Sequence, residues 1–249
     1  YRKTLERHTR KGPMTHLGAV NLGIDLCAAM AVSREAGWIY VDLKPENIYL
    51  FGDQEYRIGD LGFVEMDSLK YASLPDRYRS VYTAPEVADA YSSLNATMDT
   101  YALGLVLYQV YNLGKLPFED EQSRKAWLEG LAAGEALVPP VGADEEMAAI
   151  IAKACAYDPA DRWQTPAELG HALISYMQRN GANDTPIVPI PEPEPNSTDE
   201  NTVGIADSKD LKAADVPSEE NAVVDHTQDA DIEDLPEEDE TASLLELFQ

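Results

Sequence analysis

Apolar side chains recur at helical spacing through most of the first 180 residues, which predicts a mainly helical body. From Val20 to Ala31 they recur every three or four positions, and this spacing predicts a helix over residues 17–35. Gly37 follows where a C-terminal cap is expected. The run 101–111 is apolar on all sides, as in a helix buried inside a domain. Further helices are predicted over residues 98–112, 121–133, 144–156 and 165–178.

Two short apolar runs predict a small β-hairpin between the first two helices. Residues 48–51 and 55–58 are rich in β-branched and aromatic side chains, and a Gly-Asp turn separates them. Such a hairpin would bring Asn47 and Asp60, which flank its two strands, to the same edge. No internal repeat is visible.

Charge divides the chain into a body and a tail. The formal net charge is −26 over 249 residues, and residues 183–249 contribute −18 of it. Few apolar residues and strong self-repulsion cannot offset ~1 to 2 kcal/mol of backbone entropy per residue, so this part is predicted to be disordered. We therefore expect a folded domain over residues 1–180 and a linker with an acidic disordered tail over residues 181–249.

Five prolines between Pro186 and Pro195 favour polyproline II at the start of the tail, which predicts a stiff spacer leaving the domain. A P-x-x-P ligand at residues 186–189 is the alternative, although no Arg or Lys flanks it. The segment 242–248 is either a short docking helix for an unknown partner or simply the end of the tail. Acidic charge argues against nucleic acid and anionic membrane surfaces as partners.

The candidate chemistry lies in D-L-K-P-E-N, beginning at Asp42, and D-L-G, beginning at Asp60 eighteen residues later. Transfer of a phosphoryl group depends mostly on positioning and electrostatic stabilisation. Asp42 could accept the proton of an attacking hydroxyl, and Lys44 could neutralise the transferring group. Asn47 and Asp60 offer the oxygen ligands that Mg²⁺ prefers. Taken singly, these segments would be ordinary turns.

Further motifs follow in a fixed order along the chain. They are A-P-E at residues 84–86, D-T-Y-A-L-G at 99–104, G-K-L-P-F at 114–118 and D-P-A-D-R-W at 158–163. With D-L-K-P-E-N and D-L-G, they make the chain resemble the protein kinase superfamily, and specifically bacterial serine/threonine kinases of eukaryotic type.

This resemblance implies the fold and the roles of several residues. The fold would be the large, C-terminal lobe of a protein kinase, mainly α-helical with a small catalytic-loop hairpin. The reaction would use ATP and Mg²⁺ to phosphorylate Ser or Thr hydroxyls of proteins. Asp99 would tie the catalytic-loop backbone, and Glu86 would pair with Arg162 beneath the activation segment. Tyr49 would lie beneath the adenine.

Several positions depart from the family pattern. Tyr40 and Val41 replace the His and Arg of H-R-D, and the loss of the Arg makes activation by a phosphate in the activation segment doubtful. Leu61 replaces the usual Phe beside Gly62 and keeps an apolar contact. Residues 79–80 are Arg-Ser where the family has Gly-Thr, so the docking of substrate is the least secure expectation.

The family's small lobe has no counterpart in these residues. Neither a G-x-G-x-x-G loop nor a strand Lys precedes Tyr40, and Gly12 is the only glycine in residues 1–16. We expect the chain to be a fragment that is inactive alone. The alternative to an active kinase is a pseudokinase-like binding module that uses the fold and the acidic tail for docking. The chain retains all four polar groups of the candidate site, those of Asp42, Lys44, Asn47 and Asp60, and this favours an active kinase over a binding module.

Other site classes have little support in the sequence. Cys27 and Cys155 lie in apolar helical contexts, and no C-x-x-C or Cys/His cluster suggests zinc. The four histidines, at positions 8, 16, 171 and 226, lie away from every motif. No signal peptide or membrane span is expected, since the run 101–111 is too short. We expect a cytoplasmic protein, which could belong to a membrane-anchored parent.

Overall fold

A computed structural model describes residues 3–52, 54–59, 62–65, 79–88, 95–181 and 184–191. Five of the helices within these ranges were predicted, and their ends agree with the prediction to within two residues. The first helix was not predicted, because five residues are too few to show a periodic pattern. The helices are α1 (Leu5–Thr9), α2 (His16–Glu35), α3 (Thr97–Tyr111), α4 (Glu121–Ala132), α5 (Glu145–Ala154) and α6 (Pro166–Asn180).

Helix α3 forms the centre of the core, as its all-round apolarity predicted. All but one of its 15 residues are buried, and α2, α5 and α6 pack around it. Gly104 allows the close approach of α5, because a Cβ there would lie 2.7 Å from the Cβ of Ala154. The predicted core positions of Cys27 and Cys155 are confirmed, since both thiols are buried and free.

Helix α2 begins and ends at local capping signals. The hydroxyl of Thr15 accepts a hydrogen bond from the Gly18 amide, and Gly37 has a φ of 86° just beyond the C-terminus. By length and composition alone, α2 is apolar enough to cross a membrane, with a mean hydropathy of 1.3 over its most apolar window. Half of that window is buried inside the fold. The prediction that the chain has no helix apolar enough to span a membrane rested on the run 101–111, and α2 is longer than that run.

Two small antiparallel sheets support the loop that follows α2. The predicted hairpin is confirmed as β3 (Ile48–Phe51) and β4 (Glu55–Ile58), and β1 (Lys3–Thr4) pairs with the other edge of β3. The second sheet pairs β2 (Trp38–Tyr40) with β5 (Phe63–Glu65), so that Tyr40 lies opposite Phe63. Residues 41 and 62 are therefore held at adjacent positions, and the candidate motifs lie between them.

Residues 185–190 differ from the expected spacer, because this segment, here called the strap, lies along the domain. The amide of His16 donates to the Thr185 carbonyl at 3.0 Å, and the amide of Ile187 donates to the Met14 carbonyl at 2.8 Å. Ile187 is fully buried. The amide of Ile190 donates to the Val141 carbonyl at 2.7 Å. The proline content gave no sign that one residue of this segment, Ile187, would be buried in the domain. The predicted acidic tail from residue 192 lies outside the described residues.

Candidate active site

The loop that carries Asp42 is closed by contacts across the β2–β5 ladder. The amide of Val41 donates to the Gly62 carbonyl at 2.9 Å, and the hydroxyl of Tyr40 donates to the Gly59 carbonyl at 2.6 Å. A Cβ at residue 62 would lie only 2.9 Å from the Cβ of Asp42. Glycine at position 62 therefore lets the backbone at this residue lie directly against Asp42.

Three of the predicted site residues meet at the carboxylate of Asp42. The ammonium of Lys44 donates to both carboxylate oxygens, at 2.8 and 3.0 Å. The side-chain amide of Asn47 donates to Asp42 Oδ2 at 2.8 Å and to the Asp42 carbonyl at 2.9 Å. A short 3₁₀ turn over Pro45–Asn47 brings the amide back towards Asp42. The carboxylate is thus oriented from two sides, while its side chain remains 13% exposed.

Asn47, a predicted metal ligand, uses only part of its side-chain amide within the described site. Its side-chain nitrogen is used in both bonds to Asp42, and its Oδ1 accepts no hydrogen bond from any described residue. An amide oxygen is a ligand type that Mg²⁺ accepts. Asp60, the predicted carboxylate ligand, lies outside the described residues, as does Leu61. Within the described ranges no cluster of three or more His, Cys, Asp or Glu could hold a metal by itself.

Asp99 connects the catalytic loop to the core helix α3. Its Oδ2 accepts a hydrogen bond from the Tyr40 amide at 3.2 Å, and the residue is 3% exposed. Burial raises the pKa of this carboxyl well above its usual range, and the bond from the Tyr40 amide opposes the rise only in part. The ring of Tyr40 packs on Phe63, with centroids 4.8 Å apart. Tyr40, two residues before Asp42, is therefore anchored both to the core and to β5.

Tyr49 lies on the face of the hairpin opposite to the buried Ile48. It pairs with Thr4 on one side and Arg57 on the other. A Cβ at Gly59 would overlap the Tyr49 ring, so the bulky aromatic side chain is accommodated because position 59 is glycine. The ring thus packs against the backbone immediately before Asp60.

Glu86 and Arg162 form the ion pair that the sequence predicted. The guanidinium donates to both carboxylate oxygens of Glu86 at 2.8 Å. It also donates to the carbonyls of Ala156 at 2.7 Å, Tyr157 at 2.9 Å and Thr97 at 3.3 Å. The guanidinium is stacked over a buried tyrosine ring, and the Arg162 side chain is fully buried. The pair fixes the A-P-E segment to the core.

Two residues that sequence reasoning missed hold the segment just before A-P-E. The Tyr82 hydroxyl donates to the side chain of Gln109 on α3 at 2.7 Å. Arg124 on α4 donates to the Thr83 carbonyl at 2.8 Å and to the Val81 carbonyl at 3.3 Å. Tyr82 belongs to the run that the resemblance places directly before A-P-E, but a single sequence offers no signal for its bond to Gln109 or for the role of Arg124. Residues 79–80 are Arg-Ser instead of the family's Gly-Thr. Here the Ser80 amide donates to the Thr83 hydroxyl at 2.7 Å and closes a tight turn.

The comparisons with known proteins agree with this geometry. Residues 2–174 match the protein kinase domain. The chain is 30% identical to the serine/threonine-protein kinase PknB of Mycobacterium tuberculosis over 175 residues, which cover 67% of the chain and 27% of that protein. It is 29% identical to the serine/threonine-protein kinase PknK of Mycobacterium bovis over 178 residues, covering 70% of the chain and 16% of that protein. The chain spans about a quarter or less of the length of these relatives.

Proposed function

This chain belongs to the protein kinase family, and from that premise we propose that it forms the large lobe of a kinase acting on serine and threonine hydroxyls of proteins. The relatives named above are serine/threonine kinases, which supports this choice of acceptor. The observation that carries the proposal is the Asp42 carboxylate, which Lys44 and Asn47 hold from two sides in a partly exposed loop.

Each of these residues has a distinct role in the proposed reaction. Asp42 accepts the proton of the attacking hydroxyl as that oxygen approaches the phosphoryl group. Lys44 carries a mobile positive charge beside it and balances the charge that develops on the transferring group. Asn47 holds Asp42 through its amide nitrogen and leaves its oxygen for a cation. The hydrogen bond from the Tyr40 amide to Asp99 holds the start of this loop against helix α3.

Mg-ATP would supply the phosphoryl group and the bridging positive charge when bound. Asn47 would hold the cation together with Asp60. Tyr49 presents an aromatic face on the hairpin, which suits contact with a nucleobase. The residues of the loop would then orient the substrate hydroxyl and accept its proton.

A metal-dependent assay of the parent protein tests the proposal. We expect transfer of label from γ-labelled ATP to dephosphorylated casein, lost when EDTA removes Mg²⁺. Asn47→Ala should lower transfer about a hundredfold or more, because bound cations supply several kcal/mol of charge stabilisation. Asn21→Ala is the matched control, since the side chain of Asn21 on α2 donates to the side chain of Gln54 in the β3–β4 turn and not to Asp42. Equal transfer by Asn47→Ala and the control would contradict the metal role.

The same assay separates the enzyme from the pseudokinase-like alternative. A binding module would give no Mg-dependent transfer at any concentration of casein, and Asn47→Ala would then leave partner docking unchanged.

We also propose that the 249-residue chain does not hold Mg-ATP tightly by itself. No glycine-rich loop or strand Lys precedes Tyr40, so the triphosphate would be gripped from one side only, and the reacting atoms would not be held in line. Calorimetric titration of the chain with Mg-ATP should give no saturable binding at micromolar concentrations. Tight binding would mean that other residues replace the small lobe.

A further inference from the structure

Helix α4 is attached to the domain mainly through one polar residue and one aromatic contact. It has no buried residue. The ring of Trp127 packs on Phe118 with centroids 5.2 Å apart. Arg124 is the exception among the charged residues of α4, because its side chain is only 13% exposed while that of Glu121 is 78% exposed. A cation so well covered on an otherwise exposed helix requires specific partners.

Arg124 contacts the exposed Glu121 on its own helix at 3.4 Å, and its shorter bonds go to backbone carbonyls of the segment that precedes A-P-E. Its Nη2 donates to the Thr83 carbonyl at 2.8 Å and its Nε to the Val81 carbonyl at 3.3 Å. A guanidinium presents its donors in a rigid fork, so it fixes the orientation of the two carbonyls as well as their distance. The segment is also fixed further along, where Glu86 is locked by Arg162.

Between this segment and α4 lies a groove of about 630 Å³. Its walls combine apolar surface, including the exposed side chain of Val81, with charges of both signs, including Arg79 and Glu121. A protein chain needs both kinds of surface, because its backbone groups require polar partners while its side chains bury apolar area. Arg124 lines the groove and holds one wall of it.

The other face of the same segment adjoins the catalytic loop. Tyr82 and Glu46, the residue between Pro45 and Asn47, line a common cavity of about 380 Å³. The side chain of Tyr82 is anchored to Gln109 at 2.7 Å. The segment that Arg124 holds therefore lies between the groove and the cavity beside the catalytic loop.

From these contacts we infer that Arg124 is a positioning residue for the protein substrate. It holds the backbone of Val81 and Thr83 against α4, and so keeps the groove open in register with the catalytic loop. The effect on substrate binding rests on the proposed kinase function. The hydrogen bonds of Arg124 to the Val81 and Thr83 carbonyls do not depend on catalysis.

The first test measures the tie in the 249-residue chain and needs no kinase activity. In Arg124→Ala, hydrogen exchange at the amides of Thr83 and Val87 should accelerate about tenfold, the factor that ~1.4 kcal/mol represents, since a bond from a charged donor contributes at least that much. These amides donate to the Ser80 and Ala84 carbonyls within the segment. Arg179→Ala, which removes an exposed arginine paired with Glu146, is the matched control and should leave both rates unchanged. Equal exchange in the two variants would overturn the inference.

The second test measures the consequence in the parent protein with dephosphorylated casein. Arg124→Ala should raise KM for casein about tenfold, with kcat and KM for ATP within about twofold, because the groove binds the protein and not the nucleotide. Arg124→Lys should recover part of the loss, since an ammonium can satisfy one carbonyl but not both. Equal losses in kcat and in affinity for both substrates would indicate general damage and overturn the positioning role.

The two tests also separate this inference from the proposed function. If the wild-type parent does not phosphorylate casein but exchange still accelerates in Arg124→Ala, the kinase proposal fails and the tie stands. If phosphorylation is normal and exchange does not change, the tie fails and the kinase proposal stands.

Discussion

Two carboxylates in this domain are almost equally exposed, yet they are held by very different cations. The side chains of Asp42 and Glu86 are 13% and 12% exposed. Glu86 faces Arg162, whose side chain is fully buried, whereas Asp42 faces Lys44, whose side chain is 26% exposed. The comparison shows that the burial of a carboxylate does not by itself tell whether it serves the fold or the chemistry.

The hydrogen-bonding capacity of each partner makes the difference explicit. A guanidinium has five N–H donors, and Arg162 uses them on the two Glu86 oxygens and on three backbone carbonyls. Nothing remains for a ligand. Lys44 is a flexible point charge that reaches water, and among the described residues the Asp42 carboxylate accepts hydrogen bonds from Lys44 and Asn47 alone. The first pair is saturated and structural, while the second keeps capacity for an incoming hydroxyl.

The largest expected effect is on turnover, from Asp42→Asn in the parent protein. Loss of the proton acceptor should lower kcat about 10²- to 10⁴-fold. The free energy of unfolding should change by less than about 1 kcal/mol, because the freed Lys44 can be solvated. Initial rates of casein phosphorylation and a denaturant titration of the same sample measure the two quantities. A variant that is active but unstable would reverse the comparison.

Next in size is the loss of stability in Glu86→Ala. The substitution leaves a buried guanidinium without its carboxylate, which should cost about 3 to 5 kcal/mol in the free energy of unfolding. Denaturant titration of the 249-residue chain gives this value from the midpoint and slope.

The matched control for Glu86 is Glu146→Ala, which breaks the exposed pair with Arg179. That change should shift the unfolding midpoint far less than Glu86→Ala does, because an ion pair exposed to water and salt contributes little to stability. If the two midpoints shift equally, burial of the arginine does not decide the strength of these pairs, and the contrast between the two regions fails.

A smaller loss of stability is expected in the strap, where the anchor is apolar instead of charged. Ile187 is fully buried, so Ile187→Ala should cost about 2 to 4 kcal/mol. Ile190→Ala is the control on the same segment, because Ile190 is 50% exposed and should lose less than about 1 kcal/mol. Equal and small effects, measured by denaturant titration, would mean that the strap adds nothing to the domain.

The residues of the site were predictable because they are close in sequence, whereas the Glu86–Arg162 pair, 76 positions apart, was predicted from the resemblance to the protein kinase superfamily. Asp42, Lys44 and Asn47 lie within six positions of one another, and a short turn with proline fixes how they meet. The central helix was predictable because its sequence is apolar on every side. Such patterns are written in neighbouring residues, so one sequence is enough to read them.

The contacts that escaped prediction join distant parts of the chain. Arg124 lies 41 positions from Thr83, and no periodicity connects a helical arginine to a loop carbonyl. The strap was read as a spacer because its composition is rich in proline and precedes an acidic stretch. Ile187 is buried in a space that exists because residue 142 is glycine. A Cβ at that position would collide with the Ile187 side chain. Composition cannot reveal such a fit.

The smallest expected effect concerns a third carboxylate, Asp25, which completes the comparison because it has no cation within ion-pair distance among the described residues. Its Oδ2 accepts a hydrogen bond from the Tyr56 amide at 2.8 Å. Burial, opposed by this bond and assisted by the nearby Glu55, raises the pKa of Asp25 from 3.8 to about 6. The folded state therefore binds this proton more tightly than the unfolded state does.

The sign of the pH dependence follows from this rise in pKa. The contribution of Asp25 to stability is fully present below pH 3.8 and is lost as the pH rises through about 6. Asp25→Asn keeps an acceptor for the Tyr56 amide but has no charge to desolvate. Relative to the wild type, it should therefore gain about 1 to 2 kcal/mol in the free energy of unfolding between pH 4 and pH 7, after allowance for partial contact with solvent. Denaturant titrations of both proteins at several pH values measure the difference. A difference that stays constant across this range would show that Asp25 is as well compensated as Glu86 without an arginine.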